Sequence, residues 1–135
     1  MQLDDAEREF RDRYAIAGAD ALIDAEREVL GSDYRANGYT TRQQADRLGE
    51  LVGLQAGDRL LDLGSGCGWP GLYLAQRHGC SVVTIDPAHD GNVASAARAL
   101  ADGIAARHLA VTARGWSLPF PSRTFDAIVH TDVLC

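Results

Sequence analysis

Leu60-Leu61-Asp62-Leu63-Gly64-Ser65-Gly66-Cys67-Gly68-Trp69-Pro70-Gly71 carries more structural information than any other segment of this chain. Three leucines and an aspartate run into a glycine-rich turn, and a proline then opens a helix. A buried strand that turns sharply into a helix N-terminus is the arrangement that holds an adenine-ribose ligand. The glycines let the backbone approach such a ligand closely and adopt positive φ. The helix start supplies unpaired N–H groups and the positive end of a dipole.

Moving outward from that turn, strands and helices alternate. Pro70 suits the first position of a helix that ends near His78, with Gly79 as its cap. Ser81-Val82-Val83-Thr84-Ile85 is β-branched and apolar and reads as a strand ending at Asp86. Val93, Ala97, Leu100 and Ile104 repeat at helical spacing, which predicts a crossover helix over about 92–104. Leu109–Thr112 is a third strand, and a loop with Gly115, Pro119 and Pro121 leads to a fourth, Ala127-Ile128-Val129-His130. On the N-terminal side, Arg59–Leu63 is the first strand. Thr41 and Gln44 form a capping box for a helix with Ala45, Leu48 and Val52 on one face and a stop at Gly53. Residues 31–39 are a loop. Before it, Asp20 is the expected N-cap of a helix with Leu22, Ala25 and Val29 on one face, closed by Gly31. Residues 4–14 form a charged amphipathic helix with Ala6, Phe10 and Tyr14 at helical spacing. The alternation implies right-handed crossovers and a mainly parallel sheet, an α/β Rossmann-like fold preceded by N-terminal helices.

Composition narrows the class. The 135 residues suit one domain, and 46% hydrophobic with 24% charged residues describes a globular chain. The net charge is −6 and all 13 basic residues are arginine, which argues against broad nucleic-acid or anionic-membrane binding. Three cysteines, Cys67, Cys80 and Cys135, lack the number and spacing of a disulfide framework or zinc site. His78, His89 and His108 are scattered singly, so no metal is expected. The opening Met1–Arg8 stretch has no apolar core and does not read as a signal peptide, and no apolar run approaches membrane-spanning length. A reducing, cytoplasmic home is the expectation.

Two chemistries compete for the glycine turn. Gly66-Cys67-Gly68-Trp69-Pro70-Gly71 satisfies G-x-G-x-x-G, and Asp86 follows at a distance suited to a ribose-binding carboxylate, which allows a nicotinamide dinucleotide unit. The glycine run nevertheless starts earlier. Asp62-Leu63-Gly64-Ser65-Gly66-Cys67-Gly68 reads D-x-G-x-G-x-G, with an acid at the strand's end. A carboxylate there repels a phosphate and suits a phosphate-free cofactor with a cationic head, such as S-adenosylmethionine (SAM).

These residues, with Leu118-Pro119-Phe120-Pro121-Ser122-Arg123-Thr124-Phe125-Asp126, Ala127-Ile128-Val129 and Val133-Leu134, resemble the class I SAM-dependent methyltransferases. The subgroup is the L-P-F-containing, ubiquinone/menaquinone-biosynthesis-like one. The resemblance spans about residues 36–135. It implies that Gly64, Ser65, Gly66 and Gly68 pass under the ribose and methionine portion, that Asp62 lies near the amino end, and that Asp86 takes both ribose hydroxyls. Tyr39 matches a region that closes over the methionine end, and His130 ends the fourth strand beside the expected sulfonium. Its role is either structural or that of a general base, and no catalytic residue is assigned. The adenine pocket departs from the family: Ala113-Arg114-Gly115 stands where Gly-Asp-Ala is usual, and arginine accepts no hydrogen bond. Arg114 either stacks on adenine or turns to solvent. Backbone N–H groups near Gly115 and Trp116 remain to read the ring edge, with Trp116 either covering it or packing in its loop. Cys67 is read as a small packing residue.

The resemblance also implies a seven-stranded sheet, of which this chain carries the N-terminal part. Residues 1–38 are then a helical extension and 39–135 an incomplete SAM-binding domain. Helices would cover mostly one sheet face, leaving the other face and the fourth-strand edge open to self-association. The function expected is methyl transfer from SAM to a small-molecule acceptor. The alternatives are an oxidoreductase fragment and a non-catalytic remnant that works through a partner.

Overall fold

The computed structural model describes residues 5–133, without the side chain of Ala6. The expectations placed on Asp4, the Ala6 side chain, Leu134 and Cys135 lie outside the described residues. Strands β1 (Arg59–Leu63), β2 (Ser81–Asp86), β3 (His108–Thr112) and β4 (Ala127–Val129) form one parallel sheet in the order β3-β2-β1-β4. Helices α1 (Asp5–Ile16), α2 (Asp20–Leu30) and α3 (Arg42–Leu51) precede the sheet, α4 (Gly71–His78) joins β1 to β2, and α5 (His89–Ala101) leads through one 3-10 turn to β3.

Each crossover helix packs on the strands it connects, α4 on β1 and β2 and α5 on β2 and β3. Strand side chains alternate between faces, so one row of the sheet meets the helices and the next does not. Leu60, Val82 and Val129 join Leu72, Leu74, Ala75 and Ile104 in the main core on the helix side. The register aligns Leu109, Val83, Leu61 and Ile128 in one row. Leu61 is buried in the middle of that row, whereas Leu109 and Ile128 at its two ends are 54% and 55% exposed.

The strand bounds agree with the periodicity, except that β3 begins one residue earlier, at His108, and β4 ends one residue earlier, so His130 lies past it. The capping box of α3 is formed: Gln44 N donates to Thr41 Oγ1 at 3.2 Å, and Thr41 N donates to Gln44 Oε1 at 2.9 Å. Gly31 and Gly79 cap α2 and α4 in the left-handed conformation, with φ of 72° at both. Other local expectations are corrected. Asp20 is the first helical residue of α2, behind an N-cap Ala19 that offers no side-chain bond. Pro70 precedes α4 as its N-cap, joined to Trp69 by a cis peptide, and is not its first turn.

The inward faces of two helices also differ from the apolar periodicity. On α5 the buried residues include Asn92, Ser95 and Ala99, while Val93 and Leu100 face out. The reason lies beneath α5. Thr84 Oγ1 sits 3.2 Å from Ser95 Oγ and 2.8 Å from His108 Nε2, and Asn92 Nδ2 donates to the Asp86 carbonyl at 2.8 Å. Burial drives the His108 pKa below its ordinary value, which keeps the imidazole neutral in this network. On α2 the buried residue is Glu26, not Leu22 or Val29. Its carboxylate accepts from Ser32 Oγ, Tyr34 N and Ala36 N at 2.6, 2.8 and 3.1 Å, folding the following loop around it. Polar groups with partners are buried at small cost, so they displace apolar ones from these faces.

Candidate cofactor site

The turn after β1 lies at the carboxyl end of the parallel strands, where open α/β sheets bind ligands. Gly64, Gly66 and Gly68 have φ of 73°, 53° and 106°, a region that side-chain-bearing residues rarely adopt. Space is as restrictive as backbone. A Cβ on Gly68 would come within 2.5 Å of Leu72 Cδ1, and one on Gly64 within 2.6 Å of Val133 Cγ2. The turn is tied to β2: Gly64 N and Ser65 N both donate to the Ile85 carbonyl, at 2.8 and 3.0 Å.

Two buried carboxylates bracket this turn. Asp62, at the helix-facing side of β1, accepts from Gly71 N at 2.8 Å. It thereby caps α4, whose N-cap proline has no side-chain acceptor. Burial pushes the Asp62 carboxyl up to about 8, against the Gly71 N–H that favours the charged form, and nearby Asp86 adds to the rise. Asp86, at the end of β2, accepts from Ala88 N on Oδ1 at 2.9 Å. Its Oδ2 accepts from Gly66 N at 2.9 Å and from the Tyr14 hydroxyl at 3.1 Å. Burial raises its pKa also, offset by the Ala88 and Gly66 N–H groups and Tyr14. Ser65 Oγ, within the same turn, is buried with no hydrogen-bond partner. Cys67 is buried beside Tyr14 and Ala88, and burial lifts its thiol to about 11, which leaves it an unreactive packing residue.

The other sequence-predicted site residues lie around this centre. Gly115 follows β3, where a Cβ would touch Leu63 Cδ1 at 3.7 Å. Trp116 is 81% exposed, with the Arg114 guanidinium 5.3 Å from its ring centre. Arg114 is therefore not turned to solvent alone, and it pairs with the buried Glu7 of α1. Tyr39 is 87% exposed and lines an open cavity of about 410 Å³ with Arg47, Leu48, Leu51 and Asp132. Thr40 beside it donates from Oγ1 to Asp132 at 2.8 Å, which ties this loop to the segment after β4. His130 is exposed. The structure thus brings Asp62, Gly64, Ser65, Gly66, Gly68 and Asp86 into one cluster and sets Gly115 near Leu63, whereas Tyr39, Trp116 and His130 are exposed outside that cluster. Sequence reasoning missed Tyr14 and Glu7, which reach Asp86 and Arg114 from 72 and 107 residues away along the chain. Contacts of that separation leave no local pattern to read.

The loop that carries Tyr39 is held from below by an aromatic ladder. Tyr34, Trp69 and Tyr73 pack as tilted rings with successive centres 5.3 Å apart, and Trp69 Nε1 donates to the Thr40 carbonyl at 2.9 Å. Trp69, inside the opening motif, therefore serves as the pillar between the glycine turn and the loop above it.

Residues 60–135, more than half of the chain, match the model of the methyltransferase domain. This chain belongs to the methyltransferase domain family. Among its relatives, 27-O-demethylrifamycin SV methyltransferase of Amycolatopsis mediterranei (strain S699) is 29% identical over 121 residues, which cover 82% of this chain and 44% of that protein. A SAM-dependent methyltransferase of Thiobacillus denitrificans, solved with S-adenosyl-L-homocysteine, is 30% identical, with a TM-score of 0.55 over 64% of this chain and 35% of that one. The [4+2]-cyclase SpnF is 34% identical, with a TM-score of 0.56 over 72% of this chain and 36% of its own. The methyltransferase-domain chain thus spans less than half the length of these relatives. Its fold is the Rossmann-like α/β fold of class I methyltransferases. Membership leaves the oxidoreductase alternative without support. No helix among the described residues of this methyltransferase domain is long and apolar enough to cross a membrane.

Proposed function

We propose that this chain binds SAM and belongs to a protein that transfers its methyl group to a small-molecule acceptor. The observation that carries the proposal is the positive-φ glycine turn set between two buried carboxylates, Asp62 and Asp86. That donor set fits a phosphate-free adenine-ribose ligand with a cationic head, and the unpartnered Ser65 Oγ within the turn offers it a further polar contact. SAM supplies a methyl group already activated on a cationic sulfur, so the protein's part is to bind and align.

On this reading Asp86 accepts from both ribose hydroxyls, for which its two oxygens are matched. Gly64, Ser65, Gly66 and Gly68 form the floor under the ribose and methionine portion, and Asp62 carries the negative charge nearest the amino group. Backbone N–H groups near Gly115 and the face of Trp116 meet the adenine. Tyr39 and the backbone at His130 meet the methionine end. Residues 39–135 hold these groups, with 1–38 as an N-terminal extension. An acceptor other than a polyanion is supported by the net charge of −6, and the Amycolatopsis relative is named for a discrete compound. Free Cys67 and Cys80 suit a reducing, cytoplasmic compartment. The half-exposed row ending in Leu109 and Ile128 is the surface through which a second copy would associate.

Calorimetric titration with SAM, S-adenosylhomocysteine, NAD and NADP tests the proposal. Heat from the first two and none from the dinucleotides is expected, and the reverse pattern would refute it. Asp86→Ala should remove the heat while the variant retains a cooperative melt. Undiminished affinity would dismiss the role given to Asp86.

A further inference from the structure

Helix α1 lies across the site just described. Tyr14 and Glu7 are seven residues apart on α1, two helical turns, and so share one face. Tyr14 donates to Asp86 Oδ2 at the end of β2, and Glu7 pairs with Arg114 just past the end of the neighbouring strand β3. Both α1 residues are buried. Their partners are the ribose-binding acid and the residue that stands in the adenine region. The Tyr14 ring also fills space. A Cβ on Gly66 would lie 3.3 Å from Tyr14 Cε1, and one on Gly91 would lie 3.0 Å from its Cε2.

Hydrogen-bond accounting makes the two occupants incompatible. A ribose diol bound by one carboxylate needs an acceptor position on each oxygen. Asp86 Oδ2 already accepts from Gly66 N and from Tyr14, and Oδ1 accepts from Ala88 N. Gly66 and Ala88 are backbone groups held by the fold, whereas Tyr14 comes from a separate helix. Burial and the neighbouring Asp86 push the Tyr14 phenol far above its ordinary range, so it remains a hydroxyl donor, as a ribose hydroxyl is.

We propose that α1 is a displaceable lid that holds the cofactor site shut, with the Tyr14 hydroxyl standing in for a ribose hydroxyl on Asp86 and the Glu7–Arg114 pair as the latch. The proposal rests on the SAM-binding function above. Cofactor binding then requires α1 to leave the strand ends, and the cost of breaking the two contacts lowers the apparent affinity.

Tyr14→Phe removes the competing hydroxyl and Glu7→Gln weakens the latch. Each should tighten S-adenosylhomocysteine binding by about fivefold to tenfold in calorimetry, the scale of one net intramolecular hydrogen bond. In the unmodified chain, amide exchange should slow at residues 64–68 and quicken along 5–16 when S-adenosylhomocysteine is added. Equal or weaker affinity in both variants, or slower exchange along 5–16 on binding, would overturn the lid while leaving the cofactor assignment intact. No heat in any of the three proteins, with no protection at 64–68, would overturn the assignment and the lid together. Binding by the variants alone would establish the lid in its strongest form.

Discussion

The carboxyl of Asp62 is pulled in two directions. The Gly71 N–H at the start of α4 favours its charged form, and burial with Asp86 nearby favours the neutral one. Burial dominates, and the group titrates near 8 in the folded chain against an ordinary value of 3.8. Between those values the folded chain holds a proton that the unfolded chain has lost. Its contribution to stability is therefore complete below 3.8 and is lost as pH rises toward 8. Asp62→Asn keeps an oxygen for Gly71 N and removes the titration. In urea unfolding, the native chain should lose about 3–4 kcal/mol more than the variant between pH 5 and pH 8. Parallel pH profiles for the two proteins would show that Asp62 is ionised throughout. A cationic ligand beside this carboxyl lowers its pKa, so SAM binding near pH 7 should release a proton. Calorimetry in buffers of different ionisation enthalpy would detect that release. The same residue marks a limit of sequence reading. An acid at the end of β1 was legible as a site residue, but its second duty as the cap of α4 depends on a turn whose path only the structure shows.

At the level of elements, the glycine turn, the four strands and the α3 capping box could be read from local chemistry alone. Each rests on residues a few positions apart: β-branched runs, left-handed glycines, a Thr and a Gln three residues apart. Helix orientation could not be read that way. The apolar repeat Val93, Ala97, Leu100 on α5 predicts a buried face, yet Leu100 is 72% exposed, while Ser95 and Ala99 are fully buried. The inward side is chosen by what β2 presents to α5, namely Thr84 and the Asp86 carbonyl, and by His108 from β3. This leads to a contrast that unfolding measurements can check. Leu100→Ser should change stability by less than about 0.5 kcal/mol, as a surface substitution does. Ser95→Val places an apolar branch against the Thr84 hydroxyl and should cost about 1–3 kcal/mol. A large loss at Leu100 and none at Ser95 would restore the periodic face. Glu26 of α2 teaches the same point, since its three hydrogen bonds define the loop to Ala36 and no pattern in α2 announces them.

On the scale of the molecule, the sheet is covered by α4 and α5 on one side and has Leu109 and Ile128 half-exposed at the ends of a row on the other. An apolar row that ends in exposed leucine and isoleucine on the two edge strands favours pairing with a second copy. Sedimentation of the chain should show concentration-dependent association, and Ile128→Asp with Leu109→Asp should shift it to the monomer. A monomer at all concentrations for the unsubstituted chain would dismiss that surface. The sequence by itself determined the parallel α/β frame, the glycine turn and the pairing of Asp62 with Asp86 across it, because those follow from short-range backbone preference and from strand order. The tertiary structure alone decided which helix faces are buried and that α1 lies over the turn. Those outcomes depend on hydrogen bonds such as Tyr14 to Asp86 and Glu7 to Arg114, made between groups far apart in the chain, and an amphipathic pattern does not name its partner.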